Sequence, residues 1–515
     1  MYGVVMKRAL LSLSDKRNLE EFANDLLTLG YELVSTGGTL KVLQDANINA
    51  KAVSEVTSFP EIMNGRVKTL HPKIMGGILA VPRNLNHIQQ AKENGIELFD
   101  LIVVNLYPFE KTINNPLATW ADKIENIDIG GPSLIRAAAK NYQFVTVVTD
   151  PSDYDKVIEE LKNNQETTID TRRYLAQKAF AHTAAYDSLI ADTFNHEQKD
   201  RNKGMLNIGL PLKDDLRYGE NPHQKAGFYE SDYDHLIEVI HGKQLSYNNY
   251  LDIDSGLKLI MNFDKKTVAI LKHTNPCGVA SADTLLEAYR NAFACDTLSP
   301  FGGIVILNDE LDMETAKAIN EVFTEIIIAP AVNPETLNFL KKKKDRRIVI
   351  YQQDELIKLK THKNVVTCLN GYLCQESDNL NINREDWTFA SQIIPDDETM
   401  YSLEFAWKVV AKVKSNAICL VKGTQTIGIG VGQTSRVDSL KIAINRAEEM
   451  GFDLTGAICA SDGFFPKTDS IDLMVQKGVK AIIQPGGSKA DPEVIDAVNN
   501  AEIAMILTNR RHFRH

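Results

Sequence analysis

Two unbroken apolar stretches, residues 100–105 (DLIVVN) and 144–149 (FVTVVT), constrain this chain more than any other feature. A strand that is apolar at nearly every position must be buried on both faces. Such strands, separated by helical patterns, build a parallel sheet covered by helices on either side. The neighbouring residues supply that alternation, with strands expected at 8–13 and 32–35 and helices at 18–29, 152–163 and 171–194. A chain of 515 residues exceeds one ordinary core, so roughly two to four domains are expected. The polar stretch 195–203 (NHEQKDRNK), followed by Gly204, breaks the pattern. It marks a boundary between a domain over 1–197 and a second over 205–515.

The second part reads as a diverged internal duplication, about 205–355 and 356–515. Its first half runs strand 267–271, helix 284–294, strand 303–307, helix 314–322 and strand 325–328. The same order returns as strand 417–421, helix 439–450, strand 457–460, helix 471–476 and strand 479–483. Both middle junctions pair Phe with Gly, at 301–303 (FGG) and 463–465 (GFF). The basic run 341–347 (KKKKDRR) is expected to be a solvated helix end or loop.

With 43% hydrophobic and 24% charged residues the composition is that of a globular protein. A net charge of -11 argues against a general nucleic-acid or membrane-surface binder, yet a few local cations suffice for a phosphate ester. No apolar run reaches the ~18 residues of a membrane span. The early apolar segment 9–13 is cut off by Asp15 and Lys16 too soon for a signal peptide. The six cysteines (Cys277, Cys295, Cys368, Cys374, Cys419 and Cys459) form no C-x-x-C pair, and reduced, buried thiols in a cytoplasmic enzyme are expected.

Three loops of the first domain suit a phosphorylated ligand. Ser14-Asp15-Lys16 follows the first strand, and Thr36-Gly37-Gly38-Thr39 joins a strand to a helix. The stretch 64–72 (NGRVKTLHP) gathers Arg66, Lys68 and Thr69. Glycines let backbone N–H groups approach an anion, and a helix N-terminus adds a favourable field. Asn105 and Tyr107 end an apolar strand, where open α/β sheets bind ligands. Asp128 precedes a helix carrying Arg136 and Lys140. Taken singly, Asp128 also reads as a helix cap and Lys140 as an exposed lysine near a helix end.

In the second domain, residues 216–224 (LRYGENPHQ) suit a phosphate and a flat polar ring, or a hydrogen-bonded turn. The segment 272–278 (KHTNPCG) follows a buried strand and reads as a sharp turn presenting Lys272 and His273. A lysine beside a histidine can stabilise an oxyanion and accept an amine proton. The residues alone equally allow a satisfied core histidine and a surface lysine.

The strings GRVKTLHP, NLYPF and IDIGGPSLIRAAAKN resemble the inosinate cyclohydrolase domain of the bifunctional purine biosynthesis family. RYGENPHQ, KHTNPCG and SPFGG resemble its formyltransferase domain, so the resemblance spans nearly the whole chain. It implies an α/β chain with a methylglyoxal-synthase-like parallel-sheet domain followed by a duplicated cytidine-deaminase-like domain. The implied activity is formyl transfer from 10-formyltetrahydrofolate to aminoimidazole carboxamide ribotide (AICAR), then dehydrative closure of the formylated product (FAICAR) to inosinate. For cyclisation it implies Lys68, Tyr107, Asp128 and Lys140 as the catalytic set. Ser14, Lys16, Thr36, Gly37, Gly38, Thr39, Arg66, Thr69 and Asn105 would hold the ribotide.

For transfer it implies His273 as proton acceptor and Lys272 as stabiliser. Arg217, Tyr218, Gly302, Glu325, Asn416 and Arg436 would face the ribotide. Lys272, Val437, Asp469, Ser488, Lys489 and Arg511 would face the reduced folate. Glu325 departs from the Asp of some members. The resemblance further implies an ordered C-terminal tail and a homodimer with small-molecule partners only. It needs no transition metal and leaves a monovalent cation open. Two rivals stand beside it, a zinc hydrolase acting on a nucleobase and a non-catalytic nucleotide sensor. A zinc deaminase requires H-x-E and P-C-x-x-C; here Pro276-Cys277 is followed by Ala280 where the second cysteine should stand.

Overall fold

A computed structural model describes residues 6–197, 204–230, 235–380 and 382–515. The chain forms two compact units, one running to Pro211, the other built from Leu212–Tyr229 and the residues from 235 onward. Residues 195–197 of the polar stretch end the long helix Ile169–Glu197, and 198–203 lie outside the described residues.

The first unit holds a parallel sheet of β1 (Lys7–Ser12), β2 (Tyr31–Ser35), β3 (Lys51–Ala52), β4 (Leu101–Val104) and β5 (Thr146–Val148), in the order β3-β2-β1-β4-β5. All four residues of β4 are buried, as its unbroken apolar sequence requires. Helix Leu19–Thr28 buries Leu19, Phe22, Ala23 and Leu26, one stripe at helical spacing. The strand order reverses between β1 and β4, so the loops leaving their carboxyl ends flank a crevice where open α/β sheets place ligands. Residues 36–39 are not the loop expected: Gly37, with φ +48°, opens helix Gly37–Asp45 directly.

The second unit begins with a hairpin of β6 (Leu212–Leu216) and β7 (Ala226–Tyr229), followed by β8 (Ile237–His241). Next come β9 (Thr267–Lys272), β10 (Asn275–Ser281), β11 (Ile304–Leu307), β12 (Ile326–Ala329) and β13 (Arg347–Tyr351). A second hairpin, β14 (Lys363–Cys368) and β15 (Gly371–Glu376), precedes β16 (Thr388–Phe389). The last strands are β17 (Ile418–Lys422), β18 (Gln425–Gly430), β19 (Ile458–Ser461), β20 (Ala481–Gln484) and β21 (Ala504–Leu507). Twelve of them form one sheet in the order β16-β21-β20-β19-β17-β18-β10-β9-β11-β12-β13-β8. Read from the centre, β10-β9-β11-β12-β13 mirrors β18-β17-β19-β20-β21, and β10 meets β18 in antiparallel fashion. The halves share a packing device: a Cβ on Gly278 would stand 1.9 Å from the Ala292 carbonyl oxygen, and one on Gly428 would stand 2.1 Å from that of Ala443. Both strands therefore need glycine where a helix backbone crosses them.

Three expectations are corrected here. The segment 272–278 is not one sharp turn: only His273 and Thr274 turn, and Asn275 to Gly278 already belong to β10. A bulge between Pro276 and Gly278 absorbs the proline within the strand. The basic run is only partly solvated, because Arg346 is buried and bonds Thr324 O and Asn320 Oδ1, while Arg347 opens β13. The thiols are not uniformly buried: Cys295, Cys419 and Cys459 are, Cys277 is half-buried, and Cys368 and Cys374 are exposed on the β14–β15 hairpin.

Candidate active sites

In the first unit, Asn105 at the end of β4 holds the loop after β1. Its Oδ1 accepts the N–H groups of Ser14 (2.7 Å) and Asp15 (2.9 Å), and its Nδ2 donates to Asp15 O (3.0 Å). Thr39 Oγ1 accepts Leu13 N–H (2.8 Å) and donates to Leu13 O (3.0 Å), fastening helix Gly37–Asp45 to the same loop. Thr36 provides no side-chain cap, so the first N–H groups of that helix have no side-chain acceptor at their cap. A Cβ on Gly37 would stand 3.6 Å from Lys68 Nζ, and one on Gly38 would stand 4.0 Å from Lys16 Nζ. Two ammonium groups and a helix N-terminus thus converge, an arrangement suited to a phosphate.

The segment around Asp128 adjoins this place. A Cβ on Gly130 would lie 2.7 Å from Thr69 Oγ1. Asp128 Oδ1 accepts Gly131 N–H at 2.8 Å, so the carboxylate satisfies one of the first N–H groups of helix Gly130–Lys140, whose N-cap residue is Ile129. Tyr107 is 51% exposed and shares with Ser14, Lys111 and Asn126 a cleft of about 590 Å³. Arg66 is turned to an exposed ion pair with Glu125, which holds that carboxyl below its ordinary range. Lys140 ends its helix, exposed, ten residues beyond Gly130. At 1.5 Å per residue it stands about 15 Å along the axis, away from the loop cluster of its own chain.

Two residues that the sequence reading missed support this crevice from behind. His182 Nε2 accepts Leu106 N–H at 3.4 Å, next to Tyr107, and Tyr186 Oη accepts Asp128 N–H at 2.8 Å. They lie one turn apart on helix Ile169–Glu197. Burial depresses the His182 pKa, which keeps the imidazole a neutral acceptor. Only their four-residue spacing on a helical pattern was visible in the sequence.

In the second unit, β9 and β10 are joined by His273 and Thr274, at φ +52° and +64°. Two positive φ values make a type I′ hairpin turn, which favours Asn and Gly. A β-branched threonine there is strained, at about 1–3 kcal/mol. Asp252 Oδ1 accepts Thr274 N–H at 2.6 Å, and burial raises the Asp252 pKa. Lys272 Nζ donates to Phe301 O at 2.9 Å, next to Gly302, whose φ is +74°. Glu325 Oε1 accepts from both Arg347 Nη1 (2.9 Å) and Asn249 Nδ2 (3.1 Å), so its longer side chain is anchored through one oxygen. Burial pushes the Cys277 thiol up to about 12, which leaves it unreactive.

The other half contributes Asn416 and Arg436 at the same end of the sheet. Arg436 is buried, with Nη1 on Asp462 Oδ1 (2.5 Å) and Ser461 Oγ (2.8 Å) and Nη2 on Asn416 Oδ1 (2.8 Å). Asp462 was not foreseen, since a lone carboxylate after an apolar strand carries no motif. Lys414 N–H donates to Asn275 Oδ1 at 2.9 Å, tying this half to the His273–Thr274 turn. The tail is ordered: His512 packs on Trp407 and bonds Asp378, and Phe513 lies against Gly463.

Arg217 is exposed and stacks on Tyr218, and Val437 is half-buried on the first turn of helix Arg436–Glu449. Asp469 opens helix Asp469–Gln476, Ser488 Oγ accepts Ala490 N–H (3.1 Å), and Lys489 and Arg511 are exposed cations. Lys272 Nζ itself is engaged with Phe301 O. Among the described residues no three His, Cys, Asp or Glu side chains cluster as metal ligands, and no helix is long and apolar enough to cross a membrane.

Comparison with known proteins also divides the chain in two, with the change from one family model to the other at 133–138 and not at Pro211. A family model described as AICARFT/IMPCHase bienzyme matches residues 138–446, and one described as MGS-like domain matches 18–133. The bifunctional purine biosynthesis protein PurH of Chlorobium phaeobacteroides (strain DSM 266 / SMG 266 / 2430) is 51% identical over the full length of both chains. PurH of Persephonella marina is 47% identical over 99% of this chain and 100% of its own. A solved structure described as the crystal structure of ForH covers 37% of this chain and 100% of its own at 35% identity, with a TM-score of 0.33. By full-length identity and by the match of more than half its residues, the chain belongs to the AICARFT/IMPCHase bienzyme family, with an MGS-like N-terminal domain.

Proposed function

We propose that this chain catalyses the last two steps of inosinate synthesis, formyl transfer in the second unit and ring closure in the first. The full-length identity to the PurH proteins carries this reading. The domains we assign are the cyclohydrolase over 1–197 and the formyltransferase over 205–515.

In formyl transfer, the 5-amino nitrogen of AICAR attacks the formyl carbon of 10-formyltetrahydrofolate. The His273 imidazole accepts the amine proton as the C–N bond forms. The Lys272 ammonium stabilises the oxyanion of the tetrahedral intermediate, and N10 of tetrahydrofolate departs with a proton. Glu325, Asn416, Arg436, Arg217, Tyr218 and Gly302 are assigned to the ribotide. Val437, Asp469, Ser488, Lys489 and Arg511 are assigned to the folate, the two exposed cations suiting its carboxylates.

In ring closure, the carboxamide nitrogen attacks the formyl carbon of the same molecule, so the entropy of encounter is already met. Lys16, Lys68 and the Gly37–Gly38 helix start suit the phosphate, with Ser14, Thr36, Thr39, Arg66, Thr69 and Asn105 around the ribotide. Asp128, Lys68, Tyr107 and Lys140 are assigned to proton handling and oxyanion stabilisation as water leaves. A homodimer is supported by the exposed apolar residues Val366, Leu369 and Leu373 on the β14–β15 hairpin, and by the distance of Lys140 from its own chain's cluster. The six free cysteines suit a reducing cytoplasm. No transition metal is required by this chemistry.

The test supplies AICAR and 10-formyltetrahydrofolate to the His273→Ala and Lys68→Met variants. The first should lose transfer yet cyclise supplied FAICAR, and the second should do the reverse. Loss of both activities in either variant would reject separate sites, and stoichiometric zinc with nucleobase hydrolysis would favour the rival hydrolase.

A further inference from the structure

The two hairpin turns related by the pseudo-symmetry of the second unit are built differently. Lys422-Gly423-Thr424-Gln425 joins β17 to β18 with a glycine at the left-handed position, φ +57°. Lys272-His273-Thr274-Asn275 joins β9 to β10 with no glycine, and both turn residues sit at positive φ. The chain therefore makes the same connection without strain in one half and with strain in the other. Residues held in such conformations persist only where their surroundings over-determine them.

The surroundings here include the C-terminal tail. Arg514 Nη1 donates to Thr274 O (2.8 Å) and to Lys412 O (2.7 Å), and its Nη2 donates to Ser255 Oγ (2.8 Å). Its backbone completes the grip: Ser415 N–H donates to Arg514 O (2.8 Å), and Arg514 N–H donates to Ser415 Oγ (3.1 Å). Thr274 thus has its N–H held by Asp252 and its carbonyl held by Arg514, while the same arginine pins the residue before Asn416.

We propose that Arg514 is a positioning residue for formyl transfer, clamping the strained His273–Thr274 turn and registering it against the Ser415–Asn416 segment of the other half. It acts through the turn and not on the substrate. This rests on the reading of His273 as the proton acceptor. A planar fork of donors is needed to span two carbonyls and a hydroxyl, which a lysine cannot reproduce.

The test compares wild type, Arg514→Ala, Arg514→Lys and the double variant Arg514→Ala/Thr274→Gly in the full chain. Cyclisation of supplied FAICAR serves as the internal activity control, and a thermal melt reports on the fold of the second unit. Both single variants should lose at least tenfold in kcat for transfer, with KM for AICAR changed less than threefold. Glycine adopts the left-handed turn without strain, so the double variant should recover most of the lost kcat. Wild-type kcat in Arg514→Ala would overturn the proposal, as would a loss confined to KM, or a melted second unit with no recovery in the double variant. A wild-type chain without formyl transfer would instead refute the functional reading itself.

Discussion

Replacing Asp462 with alanine tests whether the buried pair with Arg436 organises the second half of the proposed transfer site. Asp462 is fully buried and the Arg436 side chain is 7% exposed. The Asp462 carboxylate accepts Arg436 Nη1 at 2.5 Å and Ala417 N–H at 3.1 Å, and also bonds the Ser415 hydroxyl. Its removal strands a buried guanidinium, for which about 3–5 kcal/mol is the expected cost. Ser461 Oγ and Asn416 Oδ1 still accept from Arg436, which pulls the cost toward the lower figure, while the orphaned Ala417 N–H adds to it. At roughly 2–4 °C per kcal/mol for a domain of this size class, the second unit should melt on the order of 10 °C lower. Thermal unfolding followed by circular dichroism measures the shift, and tryptophan fluorescence follows the tail because Trp407 packs on His512. Asp462→Asn should cost less, since the amide oxygen can still accept. A melting shift under about 2 °C for Asp462→Ala would refute the reasoning, because Arg436 would then not depend on its partner.

Three further outcomes are expected. Burial lowers the His182 pKa, so folding favours the neutral ring: the stability it contributes is present above the unfolded value near 6.5 and is lost as pH falls below it toward the folded value. Denaturant titrations of the cyclohydrolase unit should show stability declining over that window, and His182→Gln should flatten the decline. Glu325→Ala should raise KM for AICAR at least tenfold and destabilise the second unit by about 1–2 kcal/mol, since Arg347 and Asn249 lose their shared acceptor; an unchanged KM would remove Glu325 from the ribotide site. Lys140→Ala should abolish cyclisation and spare transfer; mixed with an inactive Asp128→Asn chain it should regain cyclisation through exchanged subunits, and no regain would place both residues in one chain's site.

The sequence exposed what periodicity and loop chemistry can carry. The apolar runs at 100–105 and 144–149 became β4 and β5, and the glycines at 37 and 38 lie beside Lys68 and Lys16. It hid what depends on distant partners. His273 and Thr274 carry no turn signature, because Asp252 and Arg514 hold the turn from elsewhere in the chain. The proline and glycine of 275–278 read as turn chemistry, while a bulge lets them lie within β10. Arg346 and Arg347 hide in a charge run, although one is buried and the other pairs with Glu325. Lys140 looked close to Asp128 in sequence, and a straight helix carries it about 15 Å away.

The most direct measurement gives the purified full chain AICAR and 10-formyltetrahydrofolate and follows tetrahydrofolate and inosinate together by absorbance. Equal accumulation of the two products, with FAICAR appearing only as a transient, is the predicted result. Ribotide that binds without turnover, or tetrahydrofolate release with no inosinate, would contradict the account.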